Sequence, residues 1–307
     1  MKTKAFFFII AAGLLWGTSP LFVDYFKEFN FSSVQLTAAR SITTALVLAG
    51  YILIFMRDAF FARPRDLLIF ALSGISYLCT ATFYFESMTK CGAATAVVLM
   101  YIAPIIVMIY SVLFFGERFT RLKLVSVIAM LVGCFLVAGI VGNFEFNLEG
   151  ILYGVASGIS YSAYNILTKV SMRRGTNPVS TTFYAFLTAA VLSVIICAPI
   201  DAVGKISSAI APTLPMLLLL GIVTCVSPYF LYTLAMRDLS AGTASSLGIV
   251  EPMAATVFSM IFLHEIPDAF QIVGIVLILG AVVILGIAEM DGAKKNSHGS
   301  TDSLEVK

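Results

Sequence analysis

Charged residues are scarce in this 307-residue sequence. They make up 12% of the chain, whereas hydrophobic residues make up 60%. A soluble domain carries about 25% charged residues, so the composition excludes an ordinary soluble protein and predicts an integral membrane protein. The apolar runs are rich in leucine and about twenty residues long, which predicts helices, because a strand of a membrane barrel needs only about ten alternating residues.

Motifs of catalysis and metal binding are also missing. The chain has no Walker A loop and no HExxH, GxSxG or GxGxxG pattern, and its two histidines, His264 and His298, stand far apart. Its five cysteines show no CxxC or Cys/His spacing, so we expect them to pack as small side chains. We therefore predict that the protein is not an enzyme, has no catalytic residues, metal or cofactor, and does not bind nucleic acid.

Ten apolar segments, here called spans 1 to 10, alternate with short loops. They cover residues 5–23, 33–56, 67–89, 93–115, 122–141, 148–171, 178–198, 213–236, 241–263 and 268–288. The predicted fold class is an all-α integral membrane protein with ten transmembrane helices. Residues 289–307 are polar, which predicts a disordered cytoplasmic tail.

Lysine and arginine concentrate at every second loop. If the N-terminus is inside, fifteen of the nineteen lie on the inner side, three lie outside and Arg40 falls within span 2. Cytoplasmic loops of membrane proteins carry an excess of these residues. We therefore predict a multi-pass protein of the cell membrane with both termini in the cytoplasm.

The sequence contains an internal repeat of five spans. Gly13, Trp16 and Ser33 align with Gly158, Tyr161 and Pro178 at an offset of 145 residues, and five further positions align at an offset of 148. We predict a first repeat over 1–141 and a second over 148–288. Because each repeat has an odd number of spans, the two halves must have opposite orientations, which is the inverted-repeat architecture of alternating-access transporters.

Spans 4 and 9 carry matched interruptions. Pro104 and Pro252 each lie thirteen residues before a glutamate, Glu117 or Glu265, that closes the span. Paired interrupted spans in corresponding halves point to the binding site of a transporter. We predict that the two prolines break their helices and serve movement, and that both glutamates make contacts at helix ends.

The ten spans, the repeat and the stretches Ile249–Pro252 and Phe262–Glu265 together resemble an EamA-type member of the drug/metabolite transporter superfamily. The resemblance covers residues 5–288, and it implies a secondary transporter with a cavity between the two halves. The first repeat departs from the pattern, because Ala103 precedes Pro104 where Glu251 precedes Pro252. Members of this superfamily carry amino acids, other metabolites and cations, so the resemblance does not imply one substrate.

Glu251 lies about halfway along span 9, and a carboxylate at that depth costs about 2.5 kcal/mol or more on insertion scales. It must therefore face a polar cavity, pair with a neighbour or carry a proton. We predict a cation- or proton-responsive site at Glu251, and a hydrogen-bonded structural carboxylate is the alternative. The other residues that we expect to bind substrate share a mid-span depth and polar or aromatic side chains: Trp16, Tyr77, Tyr101, Tyr161, Asn165 and Tyr229.

Arg40 and Glu86 are the remaining charges within spans. An ion pair of Arg40 with Glu86 or Asp24 is one interpretation, and a clamp by Arg40 on a substrate carboxylate is the other. We predict transport of a small polar metabolite, an amino acid or an amine, with export as the direction and a proton or another ion as a coupling partner. The alternative is an organic cation held in an aromatic cage.

Overall fold

The computed structural model of the chain describes residues 2–117, 120–139, 147–196, 199–264 and 266–301. Ten helical spans follow one another along the chain. Their bounds are Lys2–Lys27, Ser33–Phe55, Pro64–Ala93, Thr95–Phe115, Arg121–Val137, Leu148–Arg173, Pro178–Ile196, Ile210–Ala235, Ala241–Phe262 and Ala269–Ala288. Eight of them are long and apolar enough to cross a membrane by length and composition. Span 5 is shorter, and span 6 is rich in glycine and hydroxyl residues.

The helix of span 10 continues beyond its apolar part to Thr301. The predicted disordered tail, 289–307, therefore begins inside this helix, and its residues 302–307 lie outside the described part of the chain.

Polar side chains mark the starts of several spans. Ser32 and Gln35 form a reciprocal capping box at span 2. Asn147 caps span 6, and Ser240 caps span 9 by accepting from the amide of Thr243. Each cap satisfies an amide that has no partner within its own helix, and this fixes where the helix begins.

Each packing contact between two spans has an equivalent contact when the two repeats are interchanged. Span 3 packs on span 6 as span 8 packs on span 1, and span 4 packs on span 6 as span 9 packs on span 1. Spans 2 and 7, 4 and 9, and 5 and 10 pack on each other. This is the contact pattern of two five-helix inverted repeats, so the predicted architecture is confirmed. We call the side of the bundle at Lys2 the near side and the side at Lys27 the far side.

Four spans are interrupted in their middle. Span 1 breaks at Gly17 and Thr18, span 4 at Tyr101 and Ile102, and span 9 at Gly248 and Ile249. Span 8 carries a π-helical turn, Ile222–Val226, just before Pro228. Proline lacks an amide hydrogen and clashes with the preceding turn, and Pro20, Pro104 and Pro252 each lie in the first turn of the half-helix that follows a break.

The glycine face of span 6 lets spans 3 and 4 approach closely. A methyl group on Gly158 would lie 2.6 Å from Cγ1 of Ile102 and 2.9 Å from the carbonyl oxygen of Leu99. A methyl group on Gly154 would lie 2.5 Å from Cδ1 of Leu99. Small residues at such a face allow close helix packing in a membrane, and here they hold the two repeats together.

We predict that Gly158→Ala destabilises the protein by about 1–3 kcal/mol, because the added methyl group overpacks the contact with span 4. Thermal unfolding of the purified protein, followed by its intrinsic fluorescence, should show a lower melting temperature. Gly50→Ala in span 2 is the matched control, since a methyl group there has no atom within 4 Å. Equal melting temperatures for the two variants would contradict this account of the glycine face.

Candidate functional site

A cavity of about 450 Å³ lies between the two repeats and extends from the middle of the bundle towards the far side. Residues of spans 1, 3, 4, 6, 8 and 9 line it, and spans 2 and 5 add to its wall. The volume lies in the range of pockets that bind small molecules.

Glu251 lines the cavity at its inner end, in the first turn of the half-helix Val250–Phe262. Its Oε2 lies 2.9 Å from the hydroxyl of Tyr101. The N-terminus of a helix stabilises negative charge, so the break in span 9 places a carboxylate where the backbone favours it. Glu251 therefore has both a cavity to face and a neighbouring donor.

Tyr101 links the two broken helices. It lies at the break of span 4, and its hydroxyl is 3.1 Å from the carbonyl oxygen of Gly248, at the break of span 9. The amide that would normally bond this carbonyl belongs to Pro252, which has no hydrogen. The hydroxyl of Tyr101 can therefore donate to either Gly248 or Glu251, and it holds both breaks together.

The aromatic wall of the cavity is built around Tyr229. Its ring centroid lies 5.0 Å from that of Trp16, 5.4 Å from that of Tyr77 and 5.6 Å from that of Tyr164. These four residues and Tyr161 line the cavity. Such ring separations are those of favourable edge contacts, so the wall is a packed cluster that presents aromatic faces to one space.

Two predicted substrate-binding residues lie outside the cavity lining. Tyr101 is 1% exposed and supports Glu251. Asn165 is fully buried, donates to the carbonyl of Tyr161 at 2.8 Å and accepts from the hydroxyl of Tyr232. Asn165 lies on the same helix face as Tyr161, as its spacing predicts. It is one turn nearer the near side, however, where Tyr232 occupies the space beside it.

Arg40 of span 2 and Glu86 of span 3 lie in different environments. Arg40 lines the cavity, while Glu86 is exposed and lies outside it. Asp24 pairs with Lys27 at 3.2 Å. Within the described ranges Arg40 has no carboxylate partner within 4.0 Å, so neither of the ion pairs considered for it is formed.

Residues 3–139 and 148–287 both match the EamA-like transporter family. The chain belongs to this family. Its relatives include an uncharacterized transporter of Archaeoglobus fulgidus, which is 27% identical over 90% of this chain and 94% of the relative. The transporter YwfM of Bacillus subtilis is 23% identical over 92% of this chain and 93% of its own.

A relative with a named substrate is the pseudopaline exporter CntI of Pseudomonas aeruginosa, 26% identical over 77% of this chain and 82% of the relative. One protein of known crystal structure superposes with a TM-score of 0.76 at 17% identity, over 95% of this chain and 99% of that one. At this identity the superposition shows the shared fold alone. The family makes the chain a transporter and not an enzyme.

Polar contacts within the second repeat and between the two repeats fill the near side of this EamA-like transporter. The ammonium of Lys169 donates to the carbonyls of Met236 and Leu239. An oxygen of Glu117 accepts from the amide of Ala241 at 3.2 Å, which confirms the helix-end contact predicted for this residue. Met236, Leu239 and Ala241 are 0–1% exposed, so in the part of the chain that the structure describes these contacts lie in a closely packed region on the near side.

Other features of the transporter were not predicted as parts of the site. Thr224 reaches the cavity from the π-helical turn of span 8, a distortion that hydrophobic spacing does not reveal. Tyr84 and Tyr164 also line the cavity. Their aromatic character could have identified them, since both share helix faces with predicted residues. Glu265 lies outside the described residues.

We predict that Tyr101→Phe lowers the free energy of unfolding by about 1–3 kcal/mol, because Glu251 and the Gly248 carbonyl lose a buried donor. Titration with a denaturing detergent measures this quantity. Tyr51→Phe is the matched control, because the side chain of Tyr51 is 44% exposed. If both variants unfold like the wild type, the hydroxyl does not hold the two breaks together.

Proposed function

We propose that the protein is a secondary transporter that moves a small amine-bearing metabolite, an amino acid or an amine, across the cell membrane by alternating access. The observation that carries the proposal is the carboxylate of Glu251 at the inner end of a cavity between two inverted repeats. A carboxylate in this position attracts an ammonium group, and aromatic faces beside it strengthen the attraction through cation–π contacts. Inverted repeats with broken helices are the architecture of such transporters.

Closure on the near side and an open cavity on the far side suggest one state of an alternating-access cycle. The near-side contacts of Glu117 with the amide of Ala241 and of Arg173 with the carbonyl of Phe115 cross between the repeats. They would have to separate when the cavity opens to the near side.

Export is the direction that we favour. The exporter CntI shares the family and 26% identity with this chain, and the lysine and arginine distribution favours a cytoplasmic near side. Glu251 is then the residue that responds to a proton or another coupling ion. An organic cation remains the second candidate substrate, since Trp16, Tyr77 and Tyr229 form an aromatic wall beside the carboxylate.

We predict that Glu251→Gln lowers amine-dependent flux at least tenfold and removes its pH dependence, because the amide can neither attract an ammonium group nor exchange a proton. Flux into and out of proteoliposomes at several external pH values measures both effects. Glu86→Gln is the control, since this exposed glutamate lies outside the cavity. Wild-type affinity and wild-type pH dependence in Glu251→Gln would refute the role of this carboxylate.

We also predict the orientation. A membrane-impermeant maleimide added to intact cells should label Ser207→Cys on the far side and leave Arg63→Cys on the near side unlabelled, both residues being exposed. The wild-type chain gives the background from its own cysteines. Labelling of Arg63→Cys with protection of Ser207→Cys would place the near side outside the cell.

A further inference from the structure

The cavity contains a second charged side chain, of opposite sign to Glu251. Arg40 lies in span 2, nearer the far side, and lines the same space. Among the described residues, only Thr37 accepts a side-chain hydrogen bond from it, at 3.3 Å. Its Nε is buried without an acceptor. A guanidinium carries five N–H donors, so most of its bonding capacity is unused.

An arginine in this position is costly unless something compensates it. Charged side chains within a bilayer normally pair or face a water-filled path. Asp24 already pairs with Lys27, and Glu86 lies outside the cavity. The planar fork of arginine matches a carboxylate with two parallel hydrogen bonds, and a substrate carboxylate is the group that would supply them.

The indole N–H of Trp16 is a second buried donor without an acceptor in the cavity wall. Indole nitrogen can only donate, so this group also favours an oxygen-bearing ligand. The side chains of Arg40, Trp16 and Glu251 line one cavity, with the Nε of Arg40 and the indole nitrogen of Trp16 buried in its wall. The site therefore offers complementary partners to both ends of a zwitterion.

Most of the remaining lining is apolar. It includes Val23, Leu36, Phe85, Met88, Val97 and Val137. These residues lie between the charged pair and the far side, and they would contact a third substituent of the ligand. Burial of an apolar group there is favourable, whereas a charged group would lose its hydration without gaining a partner.

We propose that Arg40 determines specificity by binding the substrate carboxylate, so that the cavity selects an amino acid with an apolar side chain over the corresponding amine. Glu251 binds the ammonium group of the same molecule. This inference rests on the proposed function, because it requires an amine-binding cavity. It goes further by making the carboxylate of the substrate a requirement.

Two matched series of compounds test the inference. The first is leucine, 3-methylbutylamine, which lacks the carboxylate, and 4-methylpentanoate, which lacks the amine. The second is phenylalanine, 2-phenylethylamine and 3-phenylpropanoate. Equilibrium binding to the purified protein should show each amino acid bound about 10- to 100-fold more tightly than its amine or acid, as expected for charge-assisted hydrogen bonds.

In Arg40→Gln, the affinity for each amino acid should fall to that for its amine, while the affinity for the amine stays unchanged. Retained amine binding shows that the variant is folded. Arg40→Lys keeps the charge but loses the planar fork, so its affinity should be intermediate. Arg57→Gln, an exposed arginine beyond the near end of span 2, is the control and should bind as the wild type does.

Equal wild-type affinities for each amino acid and its amine would overturn the role of Arg40 and leave the proposed amine transporter standing. Failure of the wild type to bind either amino acid would also overturn it. If the amines also fail to bind, and Glu251→Gln transports as the wild type does, the proposed function itself is wrong. The wild-type affinities for each amino acid and its amine decide whether the carboxylate is required, even if both Arg40 variants fail to fold.

Discussion

The hydrogen bonds of Tyr101 connect the helix breaks of spans 4 and 9. This hydroxyl, at the break of span 4, lies within 3.1 Å of both Glu251 and the Gly248 carbonyl at the break of span 9. The Gly248 carbonyl also accepts from the amide of Glu251 at 2.9 Å, whereas a carboxylate without a donor in an apolar environment would cost several kcal/mol. The hydroxyl of Tyr101 donates to this carboxylate and joins the two breaks at the inner end of the cavity.

The surrounding structure supports this junction from two sides. Towards the far side, the aromatic cluster around Tyr229 and the broken helix of span 1 form the cavity wall. Towards the near side, Asn165, Tyr232 and Lys169 fill the space and bond between spans 6 and 8. The junction thus lies between an open half and a closed half. A change in the charge of Glu251, or occupation of the cavity beside it, would act directly on both breaks.

The sequence allowed the architecture to be predicted in detail, because hydrophobic runs, charge alternation and matched prolines each have a direct physical cause. Glu251 could be identified from its depth alone. Trp16 and Tyr161 could be identified because they are equivalent positions of the two repeats and lie on corresponding helix faces at the same depth. Helical spacing gives the direction of a side chain but not what lies opposite it. For that reason the sequence predicts Asn165 and Tyr101 in the cavity lining, and the structure shows them outside it.

Other parts of the site depend on local distortions and long-range packing. Thr224 reaches the cavity from a π-helical turn, and Arg40 faces the cavity because span 2 packs between spans 7 and 8. Neither feature produces a periodic pattern in the sequence. Arg40 could form an ion pair or bind a substrate carboxylate, and which of the two applies depends on where Glu86 and Asp24 point. A single sequence does not specify those directions.

The most direct test of the account measures distances at both sides of the membrane. Electron spin resonance in nanodiscs would use one spin-labelled pair on the far side, at Glu28 and Leu148, and one on the near side, at Arg121 and Arg237, with the native cysteines replaced. Alternating access predicts that the distances change in opposite directions, and that Glu251→Gln shifts the balance between the two states. Both sides opening together, or distributions that Glu251→Gln leaves unchanged, would contradict it.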